Sequence, residues 1–432
     1  MDSVLIRQLK GFYENELTNN ILPFWLPRCL DAKYGGYLNC FDNSGRRLIS
    51  RDKYTWSQGR FVWMFSKLAF MEGTTFTKEQ RASFLALAEN GSRFLKEHCL
   101  MAPGDWRCVF LMDETGAPKR IPGCDELDMS IYADCFVVCG LARYAAASGS
   151  MEDYRFSKQL YLSCVERLQA GSFKTLPYPL SPEFCAHGIP MIFLNVAVEL
   201  FLAAKQLDLG FTGRLRDDIA RYSKRILHDF VDGANVIREV IRRDGGHLGG
   251  VLGGHANPGH TLEDMWFLAE AADILRDAGI VDHASRIVKK ALEIGWDAEY
   301  GGILHYVRAT GGLPDAPEGG EIDEPTVKQV CAGWGDKLWW VHAEALYCTL
   351  LYYIRTGDSA FLDWHNKVFA YTFTHFPNPD REVREWVQIL KRDGTPQEKV
   401  VALPVKDPYH ITRAFMLIIE LLSKAEAGCA IA

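Results

Sequence analysis

A chain of 432 residues, 48% of them apolar and 24% charged, has the composition of an ordinary globular protein and enough length for a large core. Its net charge of −7 gives no general electrostatic reason to bind nucleic acid or an anionic membrane. The opening MDSVLIRQLKGFYENEL carries Asp2, Glu14 and Glu16 without a long apolar run, which argues against a signal peptide, and no uninterrupted run of about 18 apolar residues predicts a transmembrane helix.

In chain order, residues 2 to 20 predict an amphipathic helix, with Leu5, Leu9, Phe12 and Leu17 on one side, ended by Pro23 and Pro27. The turn-rich DAKYGGYLNCFDNSGRRL follows, and helical period returns over 55 to 70 and 77 to 97. Beyond a Gly-, Pro- and Asp-rich loop at 101 to 127, helices are predicted over 128 to 148 and 151 to 169. A loop with four prolines, SFKTLPYPLSPEFCAHGIP, separates them from helices at 190 to 206 and 213 to 231. A glycine-rich approach leads into a helix that ends near 275, and another covers 280 to 296. DAEYGGILHYV and an acidic Gly/Pro loop precede helices over 336 to 357, 358 to 376 and 408 to 426. The pattern is all-α, about twelve helices with short strands confined to loops. Twelve cysteines lie scattered without C-x-x-C pairs, several of them (Cys135, Cys139, Cys348) on apolar helical faces. That usage fits reduced thiols in a cytoplasmic protein better than a disulfide framework.

Length alone suggests about three domains, yet no linker or low-complexity segment divides the chain. It does repeat itself. DAKYGG at 31 to 36 recurs as DAEYGG at 297 to 302, and Lys53, Trp56, Gln58 and Arg60 are matched by Lys337, Trp340, His342 and Glu344. Helical hairpins with internal repeats can close into a double ring whose loops form a concave site at one end. We therefore expect one domain over residues 1 to 432, an (α/α)6 barrel or toroid. An open helical solenoid is the alternative, but 11 Trp and 17 Tyr, many near helix starts, suit a sugar-lined cleft better than a protein-binding groove.

The stretch GGHANPGHTLEDMWFLAEAADIL, from 253 to 275, holds the first candidate site residue. Asn257 can cap the helix and Pro258 suits its first position, so His260 sits in the first turn with Glu263 at i+3 on the same face. The positive helix end favours a neutral imidazole, the form a general base needs. A capped helix with a surface histidine is the competing explanation. The spacing H-x-x-E without a second histidine argues against a zinc site, so no metal is expected. His410, after Pro408, opens the last helix and repeats this placement; Lys406 and Arg413 nearby suit either an anion site or a solvated face. Arg60, among Trp56, Phe61 and Trp63, needs acceptors, either as a structural ion pair or aimed at an enolate oxygen. Tyr132, Trp340, His342 and Trp56 are candidate sugar-binding residues, whereas His187, His247 and His255 rank low. A glycoside hydrolase would need paired carboxylates, and Asp125, Glu126 and Asp128 supply at most one.

Taken together, YGG at 34 to 36, WSQGR at 56 to 60, NPGHTLE at 257 to 263, DAEYGG at 297 to 302, WWVHAEA at 339 to 345, EW at 385 to 386 with DG at 393 to 394, and YHITRA at 409 to 414 make the chain resemble the N-acylglucosamine 2-epimerase family almost end to end. That family includes renin-binding protein, cellobiose 2-epimerase and aldose–ketose isomerases. The resemblance implies an (α/α)6 barrel and metal-independent proton transfer at C2 of an opened sugar. It implies Arg60 as stabiliser of the enolate, His260 and His410 as the acid/base pair, and Glu263 as the group that orients an imidazole, all catalytic. The chain departs from the pattern at His342, where many members have Gln, and at Val405, where an aromatic residue is expected. The helix near Met191 lacks the further histidine of cellobiose epimerases unless His187 substitutes for it. MIFLNVAVEL is closer to the N-acylglucosamine branch, some of which responds to ATP, although no nucleotide motif stands here. The expected ligand is a monosaccharide, N-acetylglucosamine or N-acetylmannosamine, with no cofactor in the chemistry and a homodimer as the assembly.

Overall fold

The computed structural model describes residues 3–428; Asp2 and Cys429, part of the reading above, lie outside the described residues. Twelve long helices carry the fold: α1 Ser3–Asn15, α2 Thr55–Phe70, α3 Lys78–His98, α4 Ile131–Ser148, α5 Met151–Ala170, α6 Gly188–Leu207, α7 Thr212–Arg225, α8 Pro258–Leu275, α9 Ala278–Gly295, α10 Trp339–Thr356, α11 Ser359–His375 and α12 Tyr409–Glu426. The even-numbered helices form an inner ring. Each packs on the next, α2 on α4, α4 on α6, α6 on α8, α8 on α10 and α10 on α12, and α12 returns to α2. The odd-numbered helices lie outside, each against its inner neighbours. This is the (α/α)6 barrel expected from sequence.

Burial pattern explains which helix goes where. In α7 only a stripe of Leu215, Asp218, Ile219, Tyr222 and Ser223 is buried, as suits a helix with one face on the core. In α4 burial extends round the helix, from Ile131 and Cys135 to Val138, Gly140 and Tyr144, which suits a helix packed on several sides. α4 and α6 have the length and hydropathy to cross a membrane, and 78% of each is buried within the protein. Where α2 meets α4, Gly59 and Gly140 face each other, and a Cβ on Gly59 would collide with the Phe136 carbonyl. That close approach brings Arg60 beside Phe136. Apolar side chains from Ile6 to Leu422 join one contiguous core cluster, and all eleven cysteines among the described residues are free thiols.

The structure adjusts some boundaries. Pro23 does not end the first helical path. A wide π-turn over Glu16–Ile21 precedes it, and the proline then occupies the start of a new short helix, Leu22–Trp25, where its missing N–H costs nothing. The helix expected from 336 begins at Trp339, because Lys337 and Leu338 pair antiparallel with Leu390 and Ile389. Two short helices, Gly250–Gly254 and Pro325–Gly333, lie in segments read as loop.

The internal repeat is a repeated set of bonds. The Lys53 ammonium lies 3.0 Å from Asp31 and donates to the Gly35 carbonyl at 2.7 Å; Lys337 does the same with Asp297, at 3.2 Å, and the Gly301 carbonyl. Gln58 accepts from the Tyr37 N–H at 2.7 Å and donates to its carbonyl at 2.9 Å. His342 stands in the matching place: its Nε2 accepts from the Ile303 N–H at 3.0 Å and its Nδ1 donates to the Leu338 carbonyl at 2.8 Å. Fully buried between α10 and Tyr371, its ring is pushed down to about 3 by burial. His342 is therefore a structural pin and not the sugar-binding residue expected.

Candidate active site

The starts of the six inner helices surround one cavity. Trp56 and Arg60 of α2, Tyr132 and Phe136 of α4, Met191 and Asn195 of α6, His260 and Glu263 of α8, Trp340 of α10, and His410 and Arg413 of α12 all line it. The loop residues Tyr178, Leu403, Val405 and Asp407 complete the wall. Of the eight expected site residues, the structure brings Arg60, His260, Glu263, His410, Tyr132, Trp340 and Trp56 to this one cavity and leaves His342 behind it.

His260 sits where the capping signals put it. Asn257 accepts its backbone N–H at 3.1 Å, and its ring Nδ1 donates to Glu239 at 2.9 Å. A carboxylate can only accept, so Nδ1 carries the hydrogen and Nε2 is left as the basic nitrogen. His410 is held the same way, its Nδ1 2.7 Å from Glu344. Neither Nε2 has a hydrogen-bond partner among the described residues. Burial above all pushes the His410 ring down to about 3, with Arg60 and Arg413 adding to the effect and Glu263 opposing it. His410 is thus a neutral base at pH 7. Both rings lie beside the Trp340 indole, at centroid distances of 5.5 and 5.7 Å.

Glu263 does not orient His260, although it follows at i+3. It turns to the buried Arg413 guanidinium, which also reaches Glu344 at 2.6 Å and the Tyr409 hydroxyl at 3.1 Å. A buried cation is costly unless fully paired, so it draws both carboxylates. Glu263 remains 3.8 Å from His410 Nδ1, on the side of the other histidine. Arg413 and Lys406 are 1% exposed and belong to neither a solvated face nor an open anion site. Lys406 is spent on Glu385 at 2.7 Å and the Asn43 carbonyl at 2.9 Å.

Arg60 finds its acceptor in Asp407, and its guanidinium lies over Phe136, Tyr409 and Trp56, at 4.2, 4.9 and 5.1 Å from the ring centroids. The aromatic walls hold the cation in place. Asp407 is itself fixed by Gln388, which accepts its N–H and donates to its carbonyl, both at 2.9 Å.

Sequence reasoning missed Glu239, Glu344 and Asp407. Glu344 had a signal, since the repeat aligns it with Arg60. Glu239 had none locally, because it reaches the site through the strand pair Phe184–Ala186 with Val240–Arg242. His187, ranked low, is completely buried behind His260, 2.7 Å from Asp264 and 3.5 Å from Glu239. Asp128 pairs with Arg107 and Arg167, away from the cavity.

Two clusters have donor atoms close enough to hold a cation, His187–Glu239–His260 and Glu263–Glu344–His410. In the second, Arg413 already lies on both carboxylates. In the first, burial opposes protonation of His187, but Asp264 and Glu239 overcome it and raise the ring to about 10, so the imidazolium itself is the cation. Burial would raise the Glu239 carboxyl too; instead His260 and His187 hold it well below the usual carboxylate range.

The profile of a family described as N-acylglucosamine 2-epimerase (GlcNAc 2-epimerase) matches residues 36–414. The chain is 30% identical over 428 residues to N-acylglucosamine 2-epimerase of Bos taurus, covering 97% of this chain and 92% of that one, and 28% identical over 407 residues to the Homo sapiens protein of the same name, covering 94% and 88%. Among solved structures it is similar to cellobiose 2-epimerase from Bacillus thermoamylovorans B4167, with a TM-score of 0.75, 19% identity and coverage of 96% of this chain and 99% of that one. A D-mannose isomerase gives a TM-score of 0.71 at 16% identity over 95% and 97%. At such identities the structural likenesses speak for the barrel alone.

Proposed function

The chain belongs to the N-acylglucosamine 2-epimerase family, and from that premise we propose that its cavity interconverts N-acyl-D-glucosamine and N-acyl-D-mannosamine. The observation that carries the reading is the pair of histidines on one cavity, each with Nδ1 on a carboxylate and Nε2 unpartnered, beside an arginine. The sugar opens to its C1 aldehyde. One histidine Nε2 removes the C2 proton, and the C–H electron pair moves into a C1–C2 double bond, with the negative charge on the C1 oxygen. Arg60, pre-paired to Asp407, stabilises that oxygen. The other histidine, which starts the turnover protonated at Nε2 as well, gives that proton to the opposite face of C2 as the C1 aldehyde re-forms. Glu239 and Glu344 fix each ring and stabilise it when protonated, the role a carboxylate plays behind a catalytic imidazole.

Tyr132, Trp56 and Trp340 bind the sugar in this reading, and Trp340 contacts both imidazoles. Arg413 supplies the cation that the Glu263–Glu344 pair requires, and the proton transfer as written here uses side chains alone. A cytoplasmic setting is supported by the free thiols. The family resemblance supports a homodimer and ATP as a regulator outside the chemistry.

Purified protein incubated separately with N-acetylmannosamine, mannose, glucose and cellobiose, with products followed by NMR, tests the proposal. The expected product is N-acetylglucosamine from N-acetylmannosamine. A 2-ketose from mannose with no change in N-acetylmannosamine would replace epimerisation by aldose–ketose isomerisation, in which the proton returns to C1. No turnover on any sugar would favour a non-enzymatic helical protein that binds a partner.

A further inference from the structure

Behind His260 lies a row of buried groups that the proton transfer above does not use. The antiparallel register pairs Phe184 with Arg242, Cys185 with Ile241 and Ala186 with Val240. One step further along, the His187 N–H donates to the Glu239 carbonyl at 2.9 Å. The hairpin thus sets the two side chains next to each other at the start of α6. From α8, Asp264 comes down on the far side of the ring and meets His187 Nε2 at 2.7 Å. His187 Nδ1 faces Glu239 Oε1 at 3.5 Å, and the other oxygen of Glu239 accepts from His260 at 2.9 Å. His187 and Asp264 are fully buried and Glu239 is 8% exposed. Neither His187 Nδ1 nor Glu239 Oε1 has a hydrogen-bond partner elsewhere.

We propose that His187 is a positioning residue, an imidazolium wedged between Asp264 and Glu239 that keeps Glu239 ionised and aimed at His260. The inference rests on the epimerase reading for what His260 does, and on geometry for what His187 does. Two carboxylates this close, with one imidazole between them, carry two uncompensated buried negative charges while that imidazole is neutral, and protonating it halves that charge. On the opposite side of the site, Arg413 fills the same place between Glu263 and Glu344. The two catalytic histidines therefore have matched supports, each a carboxylate, a cation and a second carboxylate. One cation is permanent and the other titrates. The remaining groups that act on Glu239 or His187 are the phenols of Tyr132 and Tyr306, the imidazoles of His255 and His305, and the Phe230 ring, tilted against His187 at a centroid distance of 5.7 Å. Tyr132 and Tyr306 are raised by burial and His255 and His305 lowered by it, so all four are neutral near pH 7.

The test separates the two histidines. Overall turnover cannot, since a fixed equilibrium constant makes kcat/KM fall equally in both directions. Exchange of the C2 proton into deuterium oxide can, because each base works on one epimer. His260→Ala first identifies the epimer whose exchange depends on His260. In His187→Gln, exchange from that epimer falls about 10- to 100-fold, the usual cost of losing the group behind a functional imidazole, while exchange from the other changes little. Asp264→Asn, the second variant should His187→Gln fail to fold, lowers the same exchange and makes it fall as pH rises through neutrality, since His187 then loses its proton. Equal losses from both epimers, or none, would overturn the proposal. A readout independent of sugar chemistry is the 15N spectrum of histidine-labelled protein at pH 7.5. Both His187 nitrogens should be protonated; a neutral ring would overturn the assignment even in a protein that turned over no sugar.

Discussion

Arg413→Met removes the cation between Glu263 and Glu344 while keeping an apolar chain of similar reach. The Glu263 and Glu344 side chains are 10% and 1% exposed, so water cannot replace the guanidinium. Removing one partner of a buried ionic cluster costs about 3–5 kcal/mol. A chain of 432 residues unfolds with roughly 0.9 kcal/mol/K of entropy, at about 2.1 cal/mol/K per residue, so Tm should fall by about 3–6 °C. The catalytic effect follows from His410. Burial holds its ring at about 3 with help from Arg60 and Arg413 against Glu263. Without Arg413 the two carboxylates act on the ring against burial and Arg60 alone, so its pKa rises and the basic form of Nε2 is lost at a higher pH than in the wild type. The acid limb of kcat/KM should move upward, so that the loss is greatest at low pH and recovers in part as pH rises. Thermal melts and kcat/KM for N-acetylmannosamine from pH 5 to 9 measure both effects. An unshifted acid limb together with an unchanged Tm would refute the reasoning.

His260→Ala and His410→Ala should each lower kcat by about 10²- to 10⁴-fold with circular dichroism unchanged, and normal activity in either would remove it from the acid/base pair. His342→Gln should leave kcat/KM unchanged, because Gln58 does the same task in the other repeat, whereas His342→Ala orphans the Ile303 N–H and should cost about 1–3 kcal/mol by urea denaturation. The His187 ring is raised from 6.5 to about 10, so the stability it contributes is complete below about pH 6.5 and is lost as pH rises through about 10; the Tm difference between wild type and His187→Gln should shrink over that window. Val405 lines the cavity where a planar ring would hold a second sugar, while Trp386 is buried among Phe373, Phe376 and Phe415 and Trp106 packs on Phe156. We therefore expect kcat/KM to favour N-acetylmannosamine over cellobiose, and the reverse preference would reject a monosaccharide site.

The barrel was legible because helical period, caps and the DAKYGG/DAEYGG repeat all pointed the same way. His260 and His410 were legible because a helix start announces itself locally, through Asn257 and Pro258 or through Pro408. The assignment of His342 failed on helical geometry. Residues two apart on a helix point about 200° apart, so Trp340 faces the cavity as Trp56 and Arg60 do, with Glu344 on the same side of its helix behind His410, while His342 and Gln58 point away from it. The partners of the histidines were harder. Glu239 reaches His260 across 21 residues, Glu344 reaches His410 across 66, and His187 meets Asp264 across 77. No local pattern encodes such distances. Glu263 was expected to hold an imidazole without the spacing saying which: it shares the His260 face, but Arg413, 150 residues away, draws its carboxylate to the His410 side.

The charges around the cavity also bear on how successive turnovers connect. Five carboxylates (Glu239, Asp264, Glu263, Glu344 and Asp407) face three cations (His187, Arg60 and Arg413). With both catalytic histidines neutral the centre would have no proton to give back to C2, so a turnover starts with one further proton on one ring. Epimerisation uses that proton. The histidine that starts charged gives it to C2, and the one that starts neutral ends charged. Each turnover therefore leaves the proton on the opposite ring, and a second turnover in the same direction requires it to be exchanged through solvent. Both histidines line the cavity and Nε2 of each is without a partner among the described residues, so water can perform that exchange once product has left. The buried ends of the rings, tied to Glu239 and Glu344, stay fixed meanwhile. The structure thus separates the nitrogen that moves protons from the nitrogen that holds the ring.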